Sequence, residues 1–231
     1  MSETIKDRLP VDNMGECHVA AVLLVDVSGS MDGKPIKELN NGLQEFYNAL
    51  QQDSLALGRA DVSIISFSSA VNIEMGFRPA EMYESPTLEA HGMTAMNEAL
   101  ITALDEIEKR KALYKSQGVK YYRPWLFVLT DGLPTDDHME SEAMQKLRTA
   151  IENKKVTYMP MGIGSNADLD QLKKYYPDST SAKVTLSANA TDFVSAFQWL
   201  SASLAEITHS DPKITQDVTL PGTPSNIVVG I

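Results

Sequence analysis

The 231-residue chain is 43% hydrophobic, enough for one substantial core and with nothing that requires a second domain. Its formal net charge of −11, from 31 acidic against 20 basic residues, works against a nucleic-acid backbone or an anionic membrane as partner, because both would be repelled at long range. The first residues show no apolar core behind a basic end, no apolar run approaches the roughly 18–20 residues of a membrane span, and a single cysteine, Cys17, excludes an intrachain disulfide, so a soluble cytoplasmic protein is expected.

Residues 1–16 read as a polar lead-in. The run over 19–25 is long and apolar enough for a buried strand, and it ends abruptly in Asp26, Ser28 and Ser30. One strand therefore delivers three oxygen-bearing side chains to its own C-terminal edge. Gly29 and Gly33 let the chain curl back, and Pro35 opens a helix over 35–52 with Ile36, Leu39, Leu43, Phe46 and Leu50 on one face. Residues 61–68 and 70–77, rich in β-branched and aromatic side chains, predict an antiparallel hairpin at a sheet edge.

An irregular stretch containing Pro79 and Pro86 leads to Gly92-Met93-Thr94, after which Met96, Leu100, Ala103, Leu104 and Ile107 mark a helix whose charged run, 106–111, reads as a solvated face. Residues 125–130 (WLFVLT) form a second continuous apolar strand, and it too ends in an acid, Asp131, followed by Gly132. Met144, Leu147 and Ile151 mark the next helix, 156–162 a strand, 167–176 a short helix and 183–186 a brief strand. The last helix takes Thr191 as N-cap and buries Phe193, Phe197, Leu200, Leu204 and Ile207. Residues 209–231 read as an extended tail in which Ile227-Val228-Val229 is suited to add to a sheet edge.

This alternation predicts an α/β fold: a doubly wound, Rossmann-like, mostly parallel six-stranded sheet with one antiparallel edge strand and helices on both faces. In that topology the strands ending at Asp26 and Asp131 are neighbours at the point where strand order reverses, the place where open α/β sheets bind ligands. Each candidate has an ordinary use alone: Ser28 and Ser30 in a turn, Thr94 as a helix N-cap, Asp131-Gly132 as a turn dipeptide. Together, Asp26, Ser28, Ser30, Thr94 and Asp131 predict a site for a divalent cation, which would offset the repulsion of two carboxylates. Hard oxygens without His or Cys favour Mg²⁺ or Mn²⁺ over Zn²⁺, and Ca²⁺ would show itself by longer bonds.

Asp26-x-Ser28-x-Ser30, Thr94 after a glycine, and Asp131-Gly132 after an apolar strand resemble the metal-ion-dependent adhesion site of von Willebrand factor A domains, over about residues 17–208. The wording LLVDVSGSMDGKPIKELNNGL and RPWLFVLTDGLPTDD is most similar to the bacterial tellurium-resistance branch, the TerY-like proteins. The resemblance implies that Ser28, Ser30 and Thr94 bind the metal, that Asp26 and Asp131 act directly or through water, and that a partner protein's acidic side chain completes the shell. Met93 departs from the pattern, standing where many members have a second glycine. Asp136 and Asp137 would repel an acidic ligand, but a metal–carboxylate bond is local and surface charges are screened within about 8 Å.

The competing reading is a Mg²⁺-dependent hydrolase or phosphatase using Asp26 and Asp131, since haloacid-dehalogenase-like phosphatases also begin with an aspartate at the end of a first strand. Those need a second aspartate two residues on, where this chain has Ser28, and no phosphate loop, G-x-S-x-G elbow or H-E-x-x-H is present. His18, His91, His138 and His209 show no ligand spacing, and only His91 and His138 fall near the site, each expected to be solvated. A binding module rather than an enzyme is expected, with a structural metal as the third reading.

Overall fold

All ten side chains of strand β1 (Cys17–Asp26) are buried, as a continuous apolar run covered on both faces requires. The computed structural model describes residues 14–164, 167–180, 185–188 and 193–209, together with the backbone of Ile227–Gly230. Successive β1 side chains enter two separate cores. Val19, Ala21, Leu23 and Val25 pack with Leu39, Leu43, Phe46, Phe193, Phe197 and Leu204, while Ala20, Val22 and Leu24 pack with Leu100, Leu104, Leu147 and Leu172.

The first core lies under helices α1 (Lys34–Leu50) and α6 (Phe193–His209). The second lies under α3 (Met96–Ser116), α4 (Glu140–Glu152) and α5 (Leu169–Lys173). A short helix, α2 (Ser54–Arg59), was not expected. It contains a glycine and is too short to show a periodic stripe, but Asp53 caps it by accepting from the backbone N–H of Leu55 and Ala56 at 2.9 and 3.0 Å.

The remaining strands are β2 (Ala60–Phe67), β3 (Val71–Pro79), β4 (Lys120–Tyr121), β5 (Trp125–Thr130), β6 (Thr157–Ile163), β7 (Thr185–Ala188) and β8 (Ile227–Gly230). They form an 8-stranded sheet in the order β3-β2-β1-β5-β6-β7-β8, with β4 pairing β1. The doubly wound, mostly parallel α/β sheet is therefore present, with eight strands where six were expected. The additions are the two-residue β4, too short for any pattern, and β8, which pairs antiparallel with β7. Antiparallel strands thus close both edges, β3 on one side and β8 on the other. Of the tail 209–231, residues 210–226 and 231 lie outside the described residues, as do residues 1–13 of the lead-in and the expected cap Thr191.

The charged run 106–111 is not a solvated face throughout. Arg110 and Lys111 are buried, at 3% and 6% exposure. Arg110 Nη2 lies 3.0 Å from Asp61 Oδ1, and the Asp61 carboxylate also accepts from His18 Nδ1 at 3.1 Å and from the Tyr114 hydroxyl. A buried acid on β2 has drawn a cation out of the helix's outer stripe.

Candidate metal centre

Strands β1 and β5 are adjacent and parallel, with Val25 beside Leu129, so the chain leaves both at the same edge, where the strand order reverses. Asp26 is the last residue of β1 and has no exposed surface. Its Oδ1 accepts from the Ser28 backbone N–H at 2.8 Å, and its Oδ2 accepts from the Thr130 hydroxyl at 2.5 Å. Burial pushes the Asp26 carboxyl above its usual range; the hydrogen bonds from Ser28 and Thr130 pull it back, and the neighbouring charge of Asp131 adds to the rise. A cation beside Asp26 would relieve this cost.

After Asp26 the chain makes a 3-10 turn over Gly29–Met31, anchored by the buried Met31. Ser28 and Ser30 project from it, and their hydroxyl oxygens are 3.0 Å apart. The Ser30 hydroxyl then donates to Asp131 Oδ1 at 2.7 Å, linking the first loop to the loop after β5. The serines bond each other and a distant carboxylate, which a purely turn-forming role does not require.

The third loop, before α3, is fastened to the first. The His91 N–H donates to Val27 O at 2.8 Å and the Gly29 N–H to Gly92 O at 3.0 Å. A side chain on Gly29 would begin 3.3 Å from that same oxygen, so the close approach depends on glycine there. Thr94, 6% exposed, is locked to the β5 loop: its N–H donates to Thr135 Oγ1 at 3.0 Å and its carbonyl accepts from the Thr135 N–H at 2.9 Å. The three loops meet at Gly132, where a Cβ would stand 3.9 Å from Thr94 Oγ1 and 4.0 Å from Ser30 Oγ.

Thr94 is not the cap of α3. Ala95 holds the N-cap position without a side-chain bond, and the capping comes from Asp136, whose carboxylate accepts from the N–H groups of Asn97 and Glu98 at 3.2 and 2.8 Å. Asp136 is 7% exposed and also holds the Asn97 amide, whose oxygen accepts from the Tyr175 hydroxyl at 2.6 Å. Its charge is therefore spent on the helix, which leaves Asp137, exposed, as the free-standing acid of the expected pair. Thr130, Thr135 and Asp136 were missed from the sequence. Thr130 had a signal, being the one polar residue closing an apolar strand, whereas Asp136 caps a helix 40 residues upstream and has no local signature.

All five expected residues, Asp26, Ser28, Ser30, Thr94 and Asp131, thus stand on three loops that hydrogen bonds hold together at the C-terminal ends of β1 and β5. The donor set is two carboxylates and three hydroxyls, all hard oxygens, and its formal charge of −2 matches a divalent cation. Neighbouring ligands of an octahedron with Mg²⁺–O bonds near 2.1 Å stand about 3.0 Å apart. The Ser28–Ser30 and Ser30–Asp131 oxygens, 3.0 and 2.7 Å apart, are joined by ordinary hydrogen bonds, and a cation replacing those protons would find the oxygens already near that spacing. Among the described residues no group of three or more His, Cys, Asp and Glu side chains could hold a metal ion. His91 and His138 are exposed, and His91 turns its nitrogens toward Glu89 O and Ser68 Oγ.

Residues 21–199 match the model of the von Willebrand factor type A domain. An uncharacterized protein of Synechocystis sp. is 28% identical over 158 residues, covering 65% of this chain, which in turn spans 33% of that relative's length. Among solved structures, the von Willebrand factor domain of a type V pilus tip protein from Porphyromonas gingivalis aligns with a TM-score of 0.62 at 11% identity, over 87% of this chain and 99% of that one. The manganese-loaded TRAP protein of Plasmodium vivax aligns with a TM-score of 0.52 at 22% identity, over 78% and 73%. Likeness at such identities concerns the fold.

Proposed function

From the premise that this chain belongs to the von Willebrand factor type A domain family, we propose that it is a metal-dependent protein-binding module, built on a metal-ion-dependent adhesion site. The observation that carries the reading is the run of oxygens from Ser28 to Ser30 to Asp131, 3.0 and 2.7 Å apart, with the Thr94 and Ser30 hydroxyls both close to Gly132. Ser28, Ser30 and Thr94 would hold Mg²⁺, with Mn²⁺ and Ca²⁺ as alternatives, and Asp26 and Asp131 would act directly or through water. The manganese-loaded state of the Plasmodium vivax neighbour supports Mn²⁺ as a second occupant. When bound, the cation supplies an open coordination position for an Asp or Glu carboxylate of a partner protein.

The chain's own residues favour binding over hydrolysis. Asp26, the buried carboxylate at the centre, has no exposed surface and is fixed by Ser28 N–H and Thr130 Oγ1, which suits holding a group in place better than exchanging protons with bulk water. Ser28 stands where a phosphatase of the haloacid-dehalogenase type needs its second aspartate.

The TerY-like wording around Asp26 and Asp131 extends the proposal to a tellurium-resistance or related stress system in the bacterial cytoplasm. The family's usual role as an interaction module supports the first part, and the sequence wording alone supports the second. Affinity capture of cellular proteins with Mg²⁺ and with EDTA tests the module: a partner retained only with metal is expected, and capture unchanged by EDTA and by Thr94→Ala, in folded protein, would rule the mechanism out. Tellurite sensitivity of a strain lacking the protein tests the wider role.

A further inference from the structure

Large apolar side chains exposed among the described residues are Met14, Leu55, Ile73, Met82, Met93 and Leu133. Two of these border the candidate metal centre. Met93, 58% exposed, immediately precedes Thr94, and Leu133, 53% exposed, follows Asp131 by two residues. They stand on different loops, and those loops are pinned together by two bonds between Thr94 and Thr135, one from the Thr94 N–H to the Thr135 hydroxyl and one from the Thr135 N–H to the Thr94 carbonyl.

The exposure is not that of an unanchored loop. The Met93 N–H donates to Ser69 Oγ at 2.9 Å, and the preceding Gly92 is held through its carbonyl by Gly29. A fixed backbone thus presents a large apolar side chain to solvent beside hard metal donors, where it contributes nothing to either core. The charge balance points the same way. The chain carries −11, and Asp32 and Asp137 are exposed on the loops of the site, so long-range electrostatics will not draw in an acidic partner. Affinity beyond the single carboxylate bond has to come from contacts that charge does not oppose.

We propose that Met93 and Leu133 form the apolar flank of the partner site, so that the segment bound is an Asp or Glu with large apolar residues next to it in a protein partner. This rests on the metal-bridge reading of the same centre. The carboxylate would reach the cation while Met93 and Leu133 cover the flanking side chains and shut water out of the contact, as the ring around an interface hot spot does.

The test uses immobilised peptides with a central Glu flanked either by Leu and Phe or by Ser, probed with the full chain in Mg²⁺ and in EDTA, alongside Met93→Ser and Leu133→Ser. The expected result is EDTA-sensitive capture of the apolar-flanked peptide, weakened about five- to tenfold by each substitution, the order set by covering one half-exposed large side chain. Both substitutions should leave Mg²⁺ binding, measured by titration of the metal alone, unchanged. A chain that binds Mg²⁺ but captures the Ser-flanked peptide equally overturns the apolar flank alone, and one that binds Mg²⁺ but captures neither overturns the carboxylate bridge and the flank with it. A chain that does not bind Mg²⁺ overturns the metal reading and this inference with it.

Discussion

The Ser30 hydroxyl donates a 2.7 Å hydrogen bond to Asp131 Oδ1 across 101 residues of sequence. The bond closes the crevice between the loops after β1 and β5 and aligns the oxygens that a cation would share. Adding Mg²⁺ at about 100 times its dissociation constant should stabilise the fold by about 2.7 kcal/mol, which for a chain of this size is a rise in melting temperature of about 5–10 °C. Ser30→Ala and Asp131→Ala should remove most of that rise, and thermal melts with and without Mg²⁺ check it.

Asp26 is a cost in the metal-free protein, because its buried carboxylate is held against solvation. Asp26→Asn should therefore raise the metal-free melting temperature by a few degrees while abolishing the Mg²⁺ response. The new amide retains an oxygen for Ser28 N–H, and its nitrogen can donate to Thr130 Oγ1, whose proton can turn to Gly132 O at 3.3 Å. A lower metal-free melting temperature would show that the Thr130 bond outweighs desolvation.

Asp136 reaches back to the start of α3 and satisfies two of the N–H groups that a helix leaves open. Asp136→Ala should cost about 2 kcal/mol, the upper end for an N-cap, and should also weaken Mg²⁺ binding by loosening Thr94, which is held to Thr135 next door. Asp136→Asn should recover part of both. Urea denaturation and metal titration on the same variants separate the two effects.

At the opposite edge of the sheet, Asp61 links acid sensitivity to α3. Burial alone would raise its carboxyl, but the His18 hydrogen bond and the Arg110 charge override this and hold it below the usual range. A depressed folded value contributes stability that is present above the unfolded value, near pH 4, and is lost as pH falls through the folded one. Asp61→Asn should cost about 3–5 kcal/mol at pH 7 by removing the negative charge that Asp61 holds 3.0 Å from the buried Arg110 guanidinium. The gap to the parent chain should narrow below pH 4 in urea denaturation.

The parallel core of the sheet and the meeting of Asp26 with Asp131 were legible because both strands are continuous apolar runs that end in an acid. The rest of the fold was hidden for identifiable reasons. Ile227-Val228-Val229 was readable as a segment suited to a sheet edge, and it pairs with β7, but which edge it joins depends on the assembled sheet; Arg110 looked solvated because its partner, Asp61, sits on another element. In the candidate site the proposed donors were readable as residue types, while the groups that hold them, Thr130, Thr135 and Asp136, act through contacts between loops. The identity of the α3 cap could not be read locally either, since Thr94 occupies the expected place and Asp136 does the capping from the β5 loop.

The loop that carries Thr94 turns on Gly92, whose φ of +75° is a conformation L side chains rarely adopt. A Cβ there would stand 2.4 Å from Ser69 Oγ and 3.2 Å from Ser69 N, so Gly92→Ala meets both backbone strain and a steric clash. Relief would require Ser69 to move, which breaks the bond its hydroxyl accepts from Met93 N–H, or Gly92 O to withdraw from Gly29 N–H. Either displacement shifts a loop of the proposed metal site, so Gly92→Ala should lower stability by about 1–3 kcal/mol and weaken Mg²⁺ binding together. Ser69→Gly removes the clash but not the strained φ or the approach to the Ser69 nitrogen. The double variant should therefore recover only part of the lost stability, with a favourable coupling between the two sites. A double-mutant cycle in urea, with Mg²⁺ titration of all four proteins, measures both, and strictly additive losses would show that the Ser69 side chain plays no part in the need for glycine at 92.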